Sequence, residues 1–281
     1  MKRNRSKIRV LISSVFAFIL TLLIVILFVC LGFSFGVFNN RSIINKLDES
    51  NYYNQIYNDY NQNAEELVQK SGFPVKIVQE SLTFDRVYVG GLNYVKSILA
   101  GEEAQINTIK LHNDLVDGIN RYLTEQGVVR TEELNAGIEG LVFELENSFV
   151  SSIQLKFADY YMEYKSEFTD LMKVIMPVDI ILIGILCFFL IRMHRFKHRG
   201  LRYINYAMIS SSCMTLLSAA YLLISKKYNK IDAAPEYYQK FIAAYLKWDI
   251  TVFLYIGGIG LIIALFLVSL TGYLRKKVTN G

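Results

Sequence analysis

Between Asn39 and Lys173 the sequence has no cysteine, and the whole chain of 281 residues has only Cys30, Cys187 and Cys213. That absence excludes a disulfide framework from the longest polar stretch of the chain. The three cysteines fall inside apolar runs, where a thiol acts as a small hydrophobe. Hydrolytic and phosphate-binding patterns are missing too: there is no G-x-S-x-G, no H-E-x-x-H and no Walker sequence. Carboxylates are absent from three short segments, 1–9, 192–202 and 275–281, which hold 13 of the 30 lysines and arginines.

What is present is four apolar runs, Val10–Phe38, Val174–Ile191, Tyr203–Ile224 and Ile250–Leu274. A hydrocarbon core of about 30 Å takes about 20 helical residues, so each run is long enough to span it. The first holds 21 Leu, Ile, Val and Phe and no charge. At roughly 0.3 to 0.6 kcal/mol each, its insertion is favourable by about 6 to 13 kcal/mol as an upper bound. Lys2, Arg3, Arg5, Lys7 and Arg9 precede it, as in a secretory signal. Signal cores are shorter, about 7 to 15 residues, and end in small residues. Here the run ends in Phe33, Phe35, Val37 and Phe38, and a retained signal anchor is expected.

Cations in short loops beside spans mark the cytoplasmic side. The basic tail 1–9, the hinge 192–202 and the tail 275–281 are therefore expected inside a cell membrane, with both termini cytoplasmic. Segment 39–173, with 12 cations and 21 acids, and the connection 225–249 are expected outside. The positive net charge is thus a topological signal and a contact for anionic lipid, not a nucleic-acid surface. The expected fold is all-α: a polytopic membrane protein with four transmembrane helices and one extracytoplasmic helical bundle.

Helical periodicity supports that bundle. Over Ser42–Gln69, Tyr53, Tyr57, Tyr60, Ala64 and Leu67 recur on one face before Gly72 and Pro74 break the chain. A short helix follows Pro74, and another covers Phe84–Leu99, stopped by Gly101 although Gly90 and Gly91 weaken its middle. Asn107–Gln126 places Leu111, Leu115, Ile119 and Leu123 four apart. Thr131 is placed to cap a helix bearing Ile138, Leu141, Val142 and Leu145, whose stripe continues through Phe149, Ile153, Phe157, Tyr160 and Tyr161. The first and last of these helices are expected to run into spans one and two.

Inside the membrane Asp179 stands out, because an intramembrane ionisable group marks function by default. Pro177 lies two residues earlier, so the expected reading makes Asp179 part of a helix start, with Pro177 in the first turn and the carboxylate favoured by the helix dipole, and a proton or ion role is the rival. Either way Pro177 and Asp179 form a candidate junction between outer domain and span two. Small residues mark packing faces: Gly32 and Gly36 in span one, Ser211, Thr215 and Ala219 in span three, Gly260 and Ala264 in span four. Ser210, Ser211, Ser212, Thr215 and Ser218 offer a polar path with Asp179 as the rival reading. Pro235 is expected to open a short interfacial helix, whose Tyr237, Tyr238, Phe241, Tyr245 and Trp248 suit the headgroup region.

Catalytic, cofactor and metal sites are not expected. His194 and His198 have i, i+4 spacing but sit among five cations with no Cys or carboxylate to complete a shell. His112, Asp114 and Asp117 lack a nucleophile. Gly257, Gly258 and Gly260 lie within apolar helix, away from any phosphate-loop context. Adjacent acids such as Glu65 and Glu66, Glu102 and Glu103, or Glu132 and Glu133 point about 100° apart on a helix and do not converge.

The pattern fits a membrane scaffold, sensor or regulatory subunit of a cell-envelope complex better than an enzyme, with lipid and a protein partner or second copy contacting the spans. A subunit of a permease or channel is the alternative. The order of one span, a large outer domain and three further spans resembles the FtsX-like subunits of mechanotransmitting ABC systems, and that resemblance implies coupling to an ATPase. The nine-residue tail before span one departs from the longer amphipathic tail of such subunits. Heavy use of Ile, Asn, Lys and Tyr suits an AT-rich bacterial source.

Overall fold

The computed structural model describes residues 2–155, 158–231 and 235–279. Among them there are ten α-helices, one 3-10 turn at Lys227–Lys230 and no strand. The helices are α1 Lys2–Phe35, α2 Asn40–Glu49, α3 Tyr52–Lys70, α4 Lys76–Ser81, α5 Phe84–Ala100, α6 Ile109–Glu125, α7 Glu132–Ile153, α8 Ala158–Arg192, α9 Lys197–Ser225 and α10 Glu236–Thr279. Four of them, α1, α8, α9 and α10, are long and apolar enough to cross a membrane.

The chain divides into two compact units. One comprises Met1–Ser42, Lys165–Asp232 and Ile242–Gly281; the other comprises Ile43–Tyr164 and Ala233–Phe241.

In the second unit local chemistry ends the helices where the sequence breaks its pattern. Gly101 and Gly127 adopt left-handed backbone at φ +78° and +63°, which costs glycine nothing and closes α5 and α6. Thr83 and Thr131 accept hydrogen bonds from the N–H groups of Arg86 and Leu134, satisfying donors that the first helical turn leaves free. The single helix expected over Ser42–Gln69 is two, because Asn51 takes φ +55° between α2 and α3. Asn tolerates that conformation better than other residues with a Cβ.

The core of this unit is built from the stripes. Leu111, Leu115, Ile119 and Leu123 are buried on α6, and Ile138, Leu141, Val142, Leu145 and Phe149 on α7. On α3 the buried set is Tyr53, Ile56, Tyr60, Ala64 and Val68, while Tyr57 and Leu67 are half-buried. The Tyr60 hydroxyl donates to the Leu145 carbonyl at 2.9 Å, joining α3 to α7. Gly90 and Gly91 do not interrupt α5. Gly91 lies beneath the Tyr53 ring, where any Cβ would collide, whereas Gly90 has room.

Three expectations change at the helix ends. The stripe of α7 stops at Ile153, where Gln154 is extended; Tyr160 is exposed, Tyr161 half-buried, and Phe157 lies outside the described residues. Of the two bounding helices, α8 does run unbroken from Ala158 to Arg192, but a turn at 36–38 separates α1 from α2. The helix that begins after Pro235 does not stop short of span four: α10 runs through all 44 residues, since no Gly or Pro interrupts Glu236–Asp249. Its aromatics also part company. Phe241 is buried and Tyr237 half-buried, and both pack against Tyr52, at 5.7 and 5.3 Å between ring centres.

In the first unit α1 packs along α9. Leu20, Ile24 and Phe28 of α1 bury against Leu190 and Ala207, with Ile183, Tyr203 and Ile256 at the edges. The basic hinge after α8 turns tightly, and Gly200 rests on the backbone of Leu190 and Ile191. A Cβ at Gly200 would stand 2.7 Å from the Ile191 Cα, a distance real Cβ atoms do not reach.

Candidate intramembrane site

Pro177 sits well inside α8, so the helix start once expected there does not occur. Proline has no N–H to donate back to the preceding turn, and a 35-residue helix continues past it because neighbouring turns hold it. Asp179 is therefore a mid-helix carboxylate, without the helix N-terminus that would have favoured its charge.

Asp179 is 4% exposed, and neither carboxylate oxygen has a hydrogen-bond partner among the described residues. It lines a cavity of about 240 Å³ whose other walls are Ile26, Val174, Ile175, Val178 and Leu182. No described cation forms an ion pair with it. A buried carboxylate in apolar surroundings is costly unless its charge is matched.

A second carboxylate was not singled out from the sequence. Asp249 on α10 accepts a hydrogen bond from the Val37 N–H at 3.1 Å. The Tyr245 hydroxyl donates to the Val37 carbonyl, and Trp248 Nε1 donates to Ser42 Oγ at 3.0 Å. Lys165 Nζ donates to Asn40 Oδ1. Beneath this polar collar Phe38 stacks on Phe168 at 4.5 Å, and Phe33 meets Phe253 edge-on at 5.7 Å. Together these contacts fix the turn that follows α1. The sequence signal was available: an acid directly flanking span four, and Gly36 as the close approach that admits it.

The small residues are found at helix contacts. Gly32 faces the Phe253 ring, Gly36 faces Asp249, and Gly260 faces Ser212 and Phe28; a Cβ on any of them would overlap its neighbour. Ser211, Thr215, Ala219 and Ala264 are buried. The Ser211 hydroxyl donates to the Met208 carbonyl and Thr215 to the Ser211 carbonyl, both at 3.0 Å, so these hydroxyls satisfy themselves on their own helix. Thr215 and Ser218 line a second cavity of about 400 Å³ with Val29, Phe33, Ala219, Asp249 and Phe253. Asp179 and the pair Thr215 and Ser218 thus line different cavities.

Elsewhere the candidates have ordinary neighbours. His194 Nδ1 lies 3.1 Å from the Leu190 carbonyl oxygen, and His198 stacks on Phe196. His112 approaches Glu146 at 3.4 Å, and Asp114 pairs with Arg86. Glu80, Asp114, Asp117, Arg121 and Glu125 rim an open depression on the second unit. Compared with protein-family models, curated proteins and solved structures, the chain finds no match in any of the three.

Proposed function

We propose that this protein is a multi-pass scaffold, sensor or regulatory subunit of a cell-envelope complex, which binds its partner through an extracytoplasmic helical domain. The observation that carries the reading is the second unit: a helical body with its own buried core, most of it inserted in sequence between two helices apolar enough to cross a membrane. On this unit Arg86 pairs with Asp114 and Arg121 with Glu80, while Phe143 and Val129 stand exposed. Large apolar side chains on such a surface suit protein contact more than chemistry on a small molecule. The cation excess in 1–9, 192–202 and 275–281 supports a cytoplasmic place for both termini in the cell membrane.

A photo-crosslinking residue in place of Phe143, in intact cells, tests this reading. One discrete adduct with a second envelope protein is expected, whereas an absence of adducts from Phe143 and Val129 together would sink it. A permease or channel subunit is the second reading, favoured by the unpartnered carboxylate of Asp179. Purified protein in vesicles would then carry a proton or cation flux that Asp179→Asn abolishes.

A further inference from the structure

Asp179 is the one charged residue within the four apolar runs, 10–38, 174–191, 203–224 and 250–274. No Lys, Arg or His accompanies it there, so this chain places no cation within those four runs. A second copy has none either, and pairing two copies through this site would set two carboxylates against each other. Unless the carboxyl carries a proton, its counter-charge comes from a different molecule.

The surroundings of Asp179 narrow the choice. Its helix is the least covered of the four: 11% of its most apolar stretch is buried, against 22 to 39% in the others. Val174 and Val178 are exposed by half or more, and Ile181 and Leu182 continue the bare face. The cavity walls beside this face are aliphatic, with the carboxylate as the polar group among them. An aliphatic groove with a carboxylate in its wall matches a lysine or arginine, whose methylene stem prefers apolar contact and whose head carries the charge. In hydrocarbon such a residue arrives on a helix, because only a helix satisfies its own backbone there.

We infer that the Asp179 cavity receives a lysine or arginine from the transmembrane helix of a different polypeptide. Pairing matches the buried charge, and the bare face of α8 supplies the helix-packing surface around it. This inference rests on the reading of the protein as a subunit of a complex, and it names the chemistry of the partner.

The test uses the full-length protein in neutral phosphatidylcholine vesicles with synthetic leucine-alanine spanning helices as probes. Each probe carries one lysine at a successive position along its apolar length, and a control has leucine there. Association is read by energy transfer between labelled protein and labelled peptide. At one depth the lysine peptide should bind about tenfold more tightly than its leucine control. Asp179→Asn should erase that preference while leaving leucine-peptide binding unchanged, which also shows that the variant is folded. Asp179→Lys should move the preference to a glutamate peptide.

Equal binding of lysine and leucine peptides at every depth overturns the inference, as does a lysine preference that survives Asp179→Asn. Self-association that depends on Asp179, or a flux abolished by Asp179→Asn, assigns the carboxylate to a second copy or to permeation and overturns it equally. Crosslinks from Phe143 alongside an absent lysine preference leave the complex-subunit reading standing and remove only this inference. The opposite pair of results removes the outer domain as the binding element.

Discussion

The carboxylate of Asp249 holds the backbone N–H of Val37 across 212 positions of sequence, at 3.1 Å. It thereby caps the chain where it leaves α1, and Gly36 makes room for it. Asp249 is buried and Val37 half-buried, so removing the acceptor gives up a partly shielded, charge-assisted hydrogen bond. Asp249→Ala should lower stability by about 1 to 3 kcal/mol. Asp249→Asn retains an acceptor oxygen and should cost less, while Gly36→Ala should be at least as damaging as Asp249→Ala because its Cβ overlaps the carboxylate. Reversible unfolding in mixed micelles checks the order.

Adjacent glycines on α5 should respond in opposite directions. At Gly90 the nearest side-chain atom to a new Cβ is 3.7 Å away, an ordinary contact, so Gly90→Ala gains helix propensity worth up to about 1 kcal/mol. At Gly91 the Tyr53 ring occupies the place, and Gly91→Ala should destabilise by about 1 to 3 kcal/mol through overpacking. Denaturant midpoints of the two variants, measured side by side, decide it; equal shifts of one sign would contradict the packing.

Three phenols of the second unit, Tyr52, Tyr53 and Tyr60, are held above their usual ionisation range, in each case first by burial. Because their folded-state values are raised, the folded state keeps its protons longer than the unfolded chain. Their contribution is fully present below about pH 10, the ordinary tyrosine value, and is lost as pH rises beyond it. The helical signal should thus be flat from pH 7 to 9 and its melting temperature should fall steeply above about pH 10. Tyr60→Phe, which also gives up the bond to Leu145, should reduce that alkaline slope.

Topology is open to a labelling experiment. Cys30 is buried and Cys187 and Cys213 are half-buried within apolar helices, so engineered thiols can be read against a low background. On intact cells an impermeant maleimide should label Gln62→Cys and spare Asn280→Cys. The reverse pattern would invert the orientation drawn from the basic segments.

Much of the fold was legible because its causes are local. The buried stripe of α6, Leu111 to Leu123, follows from spacing alone, and Gly101 and Gly127 stop helices through their own backbone freedom. On α3 the same reasoning missed by one position, taking Tyr57 and Leu67 where Ile56 and Val68 are buried. A 3.6-residue repeat leaves two adjacent rows nearly equivalent, and only the neighbouring helices choose between them. Pro177 misled for a related reason. Local rules make proline a helix start, yet its surroundings carry α8 straight through it.

The candidate site divides along the same line. By itself the sequence determined that four helices have the length and apolarity to cross a membrane, that Asp179 lies in one of them, and that no cation lies in any of the four apolar runs. Each of these depends on composition within about 20 consecutive residues, which is the scale on which transfer free energies add. Only the tertiary structure decided that Asp179 lacks a hydrogen-bond partner among the described residues, that Asp249 has one in Val37, that Phe241 is buried against Tyr52, and that the Ser211 and Thr215 hydroxyls turn back to carbonyls of their own helix. Whether a polar group is satisfied depends on what stands within about 3 Å of it, and those neighbours come from helices that the chain brings together across 200 residues and more.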